Sequence, residues 1–292
     1  MLVKFAVIAG SASKDLGKRI ARRIKAPYVE AKTRVFPDGE SKITFGRIPK
    51  NSVVLVVQST YPPVDTNLLQ ALSIISQARN VSSKIYAVIP YMGYARQDRQ
   101  FLSGEVVTMS IVAKMLQAAG AKKIIAVDIH SKTALNHFKI PKENVSAIPD
   151  LAKYFKKMKL KNALIVSPDM GGALRAKKFA SLLNADSITL KKSRNRNTGK
   201  VRIQSSKVDV RGRDLILVDD IISTGGSVIK ATQFLKRQKC KRVFVACTHG
   251  LFIGDAERKI KKAGASQIIS TNTIPRSTSK VDVSGVIAES IR

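Results

Sequence analysis

The chain has no tryptophan, two cysteines, and 20 acidic residues against 52 lysines and arginines. Each shortage excludes something. With no Trp, six Tyr and ten Phe in 292 residues, an aromatic platform for stacked bases is poorly supplied. The basic residues are spread along the whole chain, so nucleic acid is a disfavoured partner despite a net charge of +32. The excess points to some other anionic partner, or to a hot or unusual cytoplasm that tolerates it. Cys240 and Cys247 bracket the stretch "CKRVFVAC". Without Cys-x-x-Cys spacing they make neither a zinc site nor a disulfide framework, and a cytoplasmic location is expected. Long apolar runs are missing too. The longest are strand-sized, so no membrane span is expected. The opening "MLVKFAVIAGSAS" has an apolar run of about five residues, too short for a signal peptide, and reads as a first strand.

What is present is an alternation of apolar, β-branched runs with helical patterns. Strands are expected at 3–9, 53–57, 85–89, 123–129, 163–167, 215–219, 242–248 and 267–271. Their near-continuous apolarity suits strands buried on both faces, as in parallel sheets. Leu68, Leu72, Ile75 and Arg79 space as one helical stripe. Val112, Met115, Leu116 and Ala119 space as another, stopped by Gly120. The fold class is therefore α/β, doubly wound. A weak repeat pairs "IIAVDIHSKT" (124–133) with "LILVDDIIST" (215–224), and "YAVIPYMGYARQD" with "ALIVSPDMGGALR". Two similar domains are expected, 1–143 and 144–292, with a boundary near Pro141 to Pro149 and the last residues returning to the first domain. Ligands of such sheets bind outside the carboxyl ends of the strands.

The stretch "LILVDDIISTGGSV" (215–228) poses the central question. A buried-looking strand runs into two adjacent acids, Asp219 and Asp220, which repel each other. A turn of Ser223, Thr224, Gly225, Gly226 and Ser227 follows. Vicinal carboxylates can accept hydrogen bonds from neighbouring sugar hydroxyls. Backbone N–H groups of residues 223–227, aided by the dipole of a following helix, can cradle a phosphate. Gly225 and Gly226 permit close approach. A P-loop is excluded, because "GSASKDLGKR" has its glycines too far apart and Arg19 after the lysine.

On these residues the chain resembles the proteins that bind phosphoribosyl pyrophosphate: the phosphoribosyltransferases and the ribose-phosphate pyrophosphokinase family. The family loop reads Asp-Thr-Gly-Gly-Thr, whereas here Ser223 replaces the Asp and Ser227 the last Thr. Phosphate binding should survive both changes. Other stretches favour the pyrophosphokinase family. "FPDGE" (36–40) is similar to its nucleotide-binding segment. Phe36 would stack on adenine, while Asp38, Gly39 and Glu40 would read its edge or support the loop. "YARQD" (94–98) implies that Arg96 and Gln97 contact the nucleotide. "DIH" (128–130) matches the family's metal site, with His130 a contact for Mg²⁺ and Asp128 close by. "SPDMGG" (167–172) would supply Asp169 as a second metal contact. "LKKSRNRNTGKVR" (190–202) resembles the family's catalytic loop. Its Lys-x-Arg pair aligns with Lys192 and Arg194, the latter also touching ribose 5-phosphate. His249 is read as structural.

The resemblance implies two phosphoribosyltransferase-like domains with mainly parallel sheets. It implies transfer of the pyrophosphoryl group of ATP to the C1 hydroxyl of ribose 5-phosphate, giving AMP and phosphoribosyl pyrophosphate. It further implies Mg²⁺ and a homo-oligomer. Two alternatives remain at this stage. One is a phosphoribosyltransferase, which would not need the Phe36, Arg96 or Lys192 segments. The other is a non-catalytic, basic, nucleic-acid-binding relative.

Overall fold

The computed structural model describes residues 4–190 with their side chains, the backbone of 191–194 and 201–204, and residues 209–291. The chain divides into two compact units. One comprises Met1–Ser146, Asn272–Pro275 and Asp282–Arg292; the other comprises Ala147–Thr271 and Arg276–Val281.

The first unit runs β1 (Phe5–Ala9), α1 (Lys14–Arg23), β2 (Tyr28–Glu30), β3 (Lys32–Val35), β4 (Ser41–Thr44), β5 (Val53–Val57) and α2 (Val64–Ala78). It continues through β6 (Ile85–Ile89), α3 (Thr108–Ala119), β7 (Ala121–Val127), α4 (Lys132–Asn136) and β8 (Lys142–Val145). The second unit runs α5 (Ile148–Lys157), β9 (Leu164–Ser167), α6 (Ala173–Leu183), β10 (Asp186–Thr189), β11 (Lys191–Arg194), β12 (Val201–Gln204) and β13 (Asp214–Ile222). It continues through α7 (Gly226–Arg237), β14 (Arg242–Gly250), α8 (Ala256–Lys262), β15 (Ala265–Thr271) and β16 (Ser279–Val281). Helix α9 (Ser284–Ile291) belongs to the first unit.

Each unit is built on one six-stranded sheet, in the order β2-β1-β5-β6-β7-β8 and β10-β9-β13-β14-β15-β16. Every pairing in both sheets is parallel. The two orders are the same plan used twice. Each unit also carries an antiparallel hairpin after its second strand, β3–β4 and β11–β12. Helix α9 packs on α1 in the first unit as α5 packs on α6 in the second. The central strands are buried along their length, as in β5, all of whose five residues are buried. That is why their sequences are apolar runs rather than alternations.

Several expectations change. The repeat suggested by sequence pairs β7 with β13 and β6 with β9. In the sheet orders β7 holds the fifth place and β13 the third, while β6 holds the fourth and β9 the second. The true counterpart of β13 is β5, and that of β9 is β1. Strand-then-polar-turn recurs at the end of every parallel strand here, so it does not identify equivalent ones. Strand β7 stops at Val127 because Asp128 adopts a left-handed φ of 38°. In α2 the buried stripe is Asn67, Ala71, Ile74 and Ala78 with Leu68 and Ile75, while Arg79 lies beyond the helix and is exposed. In α3 Met115 is exposed, and Met109 and Ala113 take its place in the core. Gly120 does end that helix, with φ of 121°.

One face of the second sheet rests on Phe155, 2% exposed, whose ring meets Phe179 and Phe244 edge-on at 5.8 and 6.1 Å. At the head of β13, Asp214 is buried and accepts two bonds from Arg242, 2.9 and 2.7 Å, which hold its carboxyl below the usual range. Phe155 is the larger determinant of core packing. Phe155→Ala should cost roughly 3–5 kcal/mol of unfolding free energy in a denaturant titration. A loss under about 1 kcal/mol would mean the site collapses without a cavity.

Candidate active site

In each sheet the strand order reverses once, between β1 and β5 in the first unit and between β9 and β13 in the second. Loops leaving such neighbouring strands in opposite directions open a crevice at their carboxyl ends. In the second unit those loops are "SPDMGG" and "DDIISTGGS", both singled out by sequence.

Strand β13 does not end at Asp219. Its partner β14 runs on to Gly250, with Ile221 opposite His249 and Ile222 opposite Gly250, so the ladder carries both acids inside the strand. The acids are braced by Arg175 from α6, a residue given no role by the sequence reading. Its Nη1 donates to Asp219 Oδ1 at 3.3 Å and its Nη2 lies 3.2 Å from Asp220 Oδ2. Room for that guanidinium exists because residue 172 is glycine. A Cβ there would stand 2.6 Å from Ser167 Oγ and 3.2 Å from Arg175 Nη1. Burial, and then the charge of Asp220, push the Asp219 carboxyl up to about 7 against the pull of Arg175. Asp169 is half-buried, in extended backbone before the short helical turn Met170–Gly172, and Ser167 Oγ donates to its carbonyl at 2.7 Å.

The glycine loop is pinned at its base. Leu251 and Phe252 N–H groups donate to the Ile222 carbonyl, and Ile253 N–H to that of Ser223. Gly225 takes a left-handed φ of 74°, and a Cβ there would press on Ile260 Cδ1 at 3.0 Å. At Gly226, the first residue of α7, an added Cβ would meet open space. No side chain caps that helix start, and its first turn holds no acid. Thr224 is exposed, while Ser223 and Ser227 are half-buried. Backbone N–H groups at a helix start of this kind can donate to phosphate oxygens. His249 is buried within β14.

The same crevice in the first unit is filled. Gln58 Oε1 accepts from Ala12 N–H at 3.1 Å, and Gln58 Nε2 donates to Asn67 Oδ1 at 3.2 Å. Asn67 Nδ2 in turn donates to the Tyr61 carbonyl at 2.8 Å. The candidate nucleotide residues of this unit lie elsewhere. Phe36 to Glu40 form the turn of the β3–β4 hairpin, with Gly39 at φ 92°. Asp38 Oδ1 accepts from Glu40 N–H at 3.1 Å, so this carboxylate supports the turn. Phe36 is half-buried, with the Arg34 guanidinium 5.1 Å from its ring centre. Arg96 and Gln97 are exposed in the loop after β6. Their neighbour Asp98 is buried, accepts a short hydrogen bond from Ser131 Oγ, and accepts from His137 Nε2 through its carbonyl at 2.7 Å. Asp98 thus ties the Arg96 loop to the loop bearing His130, an exposed residue. Neither Asp98 nor Arg175 was foreseen in these roles. The signal for Arg175 was its place just after a Gly-Gly turn. Lys192 and Arg194 belong to β11, opposite Ile203 and Val201 of β12. Their side chains, and Arg196 and Lys200, lie outside the described residues.

Residues 5–120 match the family model described as the N-terminal domain of ribose phosphate pyrophosphokinase, and 186–292 match the phosphoribosyl synthetase-associated domain. The chain is 37% identical to the ribose-phosphate pyrophosphokinase of Sulfurisphaera tokodaii, over 98% of this chain and 99% of the relative. It is 36% identical to that of Methanobrevibacter smithii, over 98% and 99%. The chain belongs to the ribose-phosphate pyrophosphokinase family. The crystal structure of phosphoribosylpyrophosphate synthetase from Mycobacterium smegmatis superposes with a TM-score of 0.88 at 28% identity, covering 99% of this chain and 98% of that one. The enzyme is accordingly a diphosphokinase that makes phosphoribosyl pyrophosphate and AMP from ATP and ribose 5-phosphate.

The raised carboxyl of Asp219 has a consequence for stability. Its ordinary value is 3.8 and its folded value about 7, so between these the folded state binds a proton that the unfolded state has released. Stability relative to Asp219→Asn should therefore fall as pH rises from about 4 to about 7, then level off. Unfolding free energies of both proteins across that window measure it; a pH-independent difference would refute the assignment.

Proposed function

We propose that the first unit reads the nucleotide and the second holds the sugar phosphate. The observation that carries this is the braced acid pair followed by the open glycine loop in the second unit's crevice. Asp219 and Asp220 accept hydrogen bonds from the 2- and 3-hydroxyls of ribose 5-phosphate. Backbone N–H groups of Ser223 to Ser227, with the hydroxyls of Thr224 and Ser227, hold its 5-phosphate. Phe36 stacks on adenine, over the ring face that Arg34 leaves open, on a turn stiffened by Asp38, Gly39 and Glu40. Arg96 and Gln97 contact the nucleotide from an exposed loop.

The C1 hydroxyl attacks the β-phosphorus of ATP in line, and AMP leaves with the α-phosphate. No residue becomes covalently bound. Positioning of the two substrates accounts for much of the rate. Lys192 and Arg194 meet the negative charge that grows on the oxygen between the α- and β-phosphorus, and Arg194 also contacts the sugar phosphate.

Mg²⁺ fits the donors present. Among the described residues no three His, Cys, Asp or Glu side chains gather as a cage. A cation that favours one or two carboxylates plus substrate phosphates needs no such cage. Asp169, half-buried with an added Cβ at Gly171 only 3.4 Å from its Oδ1, and exposed His130 are the residues that would hold it. When bound, the ion offsets charge on the phosphate oxygens. No helix among the described residues is long and apolar enough to cross a membrane. Two buried free cysteines are consistent with the cytoplasm.

AMP release from ATP should require ribose 5-phosphate and stop in excess chelator. In that assay Lys192→Ala should lower kcat by about 100- to 1000-fold with small changes in KM, while Lys191→Ala stays mild. Severe Lys191→Ala with mild Lys192→Ala would shift the catalytic pair by one residue; mild effects of both would remove the segment from catalysis.

We further propose a homo-oligomer in which Phe36 serves a neighbouring subunit. Mixing inactive Phe36→Ala with inactive Lys192→Ala should then restore activity after subunit exchange. A monomer of undiminished activity would end that idea.

A further inference from the structure

Arg175 contacts the acid pair and nothing in the reaction so far uses it. The side chains of Arg175, Asp219 and Asp220 are 20, 20 and 9% exposed, so the three charges meet largely out of water. The backbone joins in. Asp219 Oδ1 accepts the Asp220 N–H at 2.9 Å as well as Arg175 Nη1, and Asp220 Oδ1 accepts the Ile221 N–H at 2.9 Å. Oδ1 of Asp219 is thus committed twice, while its Oδ2 takes neither of these N–H donors.

We infer that Arg175 is the positioning residue of the sugar site: clamped on Asp219 Oδ1 and Asp220 Oδ2, it favours the charged form of the pair and leaves Asp219 Oδ2 turned toward a vicinal diol. This rests on the reading of Asp219 and Asp220 as acceptors of sugar hydroxyls. Arg175 itself touches neither hydroxyl. Its cation lets two adjacent carboxylates coexist as acceptors, which two hydroxyl donors require. Without it, the pair holds a shared proton to still higher pH, as close carboxylates do. One oxygen then becomes a donor facing a donor.

The clamp therefore sets specificity as well as affinity. A diol satisfies both acids, whereas a sugar lacking the 2-hydroxyl leaves a desolvated acceptor unpaired. Polar sites built for a hydroxyl reject its absence strongly for this reason. Discrimination between ribose 5-phosphate and 2-deoxyribose 5-phosphate should depend on Arg175, although Arg175 is not in the hydroxyl contact.

The test is calorimetric titration of ribose 5-phosphate, 2-deoxyribose 5-phosphate and a non-hydrolysable ATP analogue into the whole enzyme, as wild type, Arg175→Gln, Arg175→Lys and Asp219→Asn. Arg175→Gln should weaken ribose 5-phosphate by about 10- to 100-fold, the size of a lost charged hydrogen-bond network. The deoxy sugar should weaken far less, and the ATP analogue should be unaffected. Arg175→Lys, which keeps a cation without the fork, should fall between. Equal weakening of both sugars would overturn the inference, because Arg175 would then serve the phosphate they share. So would unchanged ribose binding in Arg175→Gln alongside weakened binding in Asp219→Asn, a result that spares the hydroxyl reading. Intact ribose binding in Asp219→Asn would instead sink the hydroxyl reading and this inference with it. If thermal melting shows Arg175→Gln unfolded, Arg175→Lys decides: its affinity must drop for ribose and hold for the deoxy sugar.

Discussion

Two carboxylates on consecutive residues of a buried strand are an electrostatic liability. Like charges about 4 Å apart repel by roughly 4 kcal/mol at an effective dielectric of about 20, and dry surroundings make it worse. Asp219 and Asp220 persist because three separate features converge on them. Arg175 spans the pair, backbone N–H groups of Asp220 and Ile221 cap one oxygen of each, and Gly172 clears the path for the guanidinium. The brace is incomplete, since burial and mutual repulsion still hold Asp219 at about 7. Such incomplete compensation accords with the proposed reading, in which two hydroxyl donors complete the pair.

The duplicated plan shows how one fold keeps one such site and closes another. β5 and β13 hold the same place in their sheets. β13 carries two acids near its end and a glycine loop follows it; after β5 come Gln58 and Ser59, both buried. Gln58 is an amide, donor and acceptor at once, so it can satisfy Ala12 and Asn67 without any ligand. A carboxylate cannot, because it only accepts. Gly10 marks the tightness of this filling, since a Cβ there would lie 2.3 Å from Gln58 Oε1. The change from acid to amide fills the crevice, and the first unit's nucleotide candidates lie in its hairpin and in the loop after β6 instead.

Sequence reading reached the fold class and singled out the proposed sugar-phosphate loop because both are local. Buried parallel strands declare themselves as apolar runs, and "DDIISTGGS" carries its chemistry in nine consecutive residues. What it missed is non-local. Arg175 lies 44 residues before Asp219, and only the β9–β13 adjacency brings α6 across the acids. The extension of β13 to Ile222 depends on β14 continuing beside it, which no propensity within "DDII" announces. The early stop of β7 comes from a single left-handed residue, Asp128. The misaligned repeat has the same origin. Strand ends look alike in a parallel sheet, and only the strand order tells which are equivalent.

The charge imbalance bears on the site in a way composition alone conceals. With 52 basic residues and 20 acidic ones, most acids here have a cation at hand: Asp214 with Arg242, Glu143 with Lys123, Glu30 with Lys14, Asp282 with Arg19 and Arg23. Those are one-sided or exposed pairs in which the cation fully meets the carboxylate. Asp219 and Asp220 share a single guanidinium between two negative charges, in a chain where positive side chains outnumber negative ones. Cation supply is not what limits them. The limit is geometric: among the described residues Arg175 of α6 is the cation paired with both acids, and in the proposed site a cation in front would take the ground of the sugar. The surplus of charge elsewhere raises the potential felt by anionic substrates, while in the proposed reading the two largely buried acids sort by its hydroxyls what that field attracts by its phosphates.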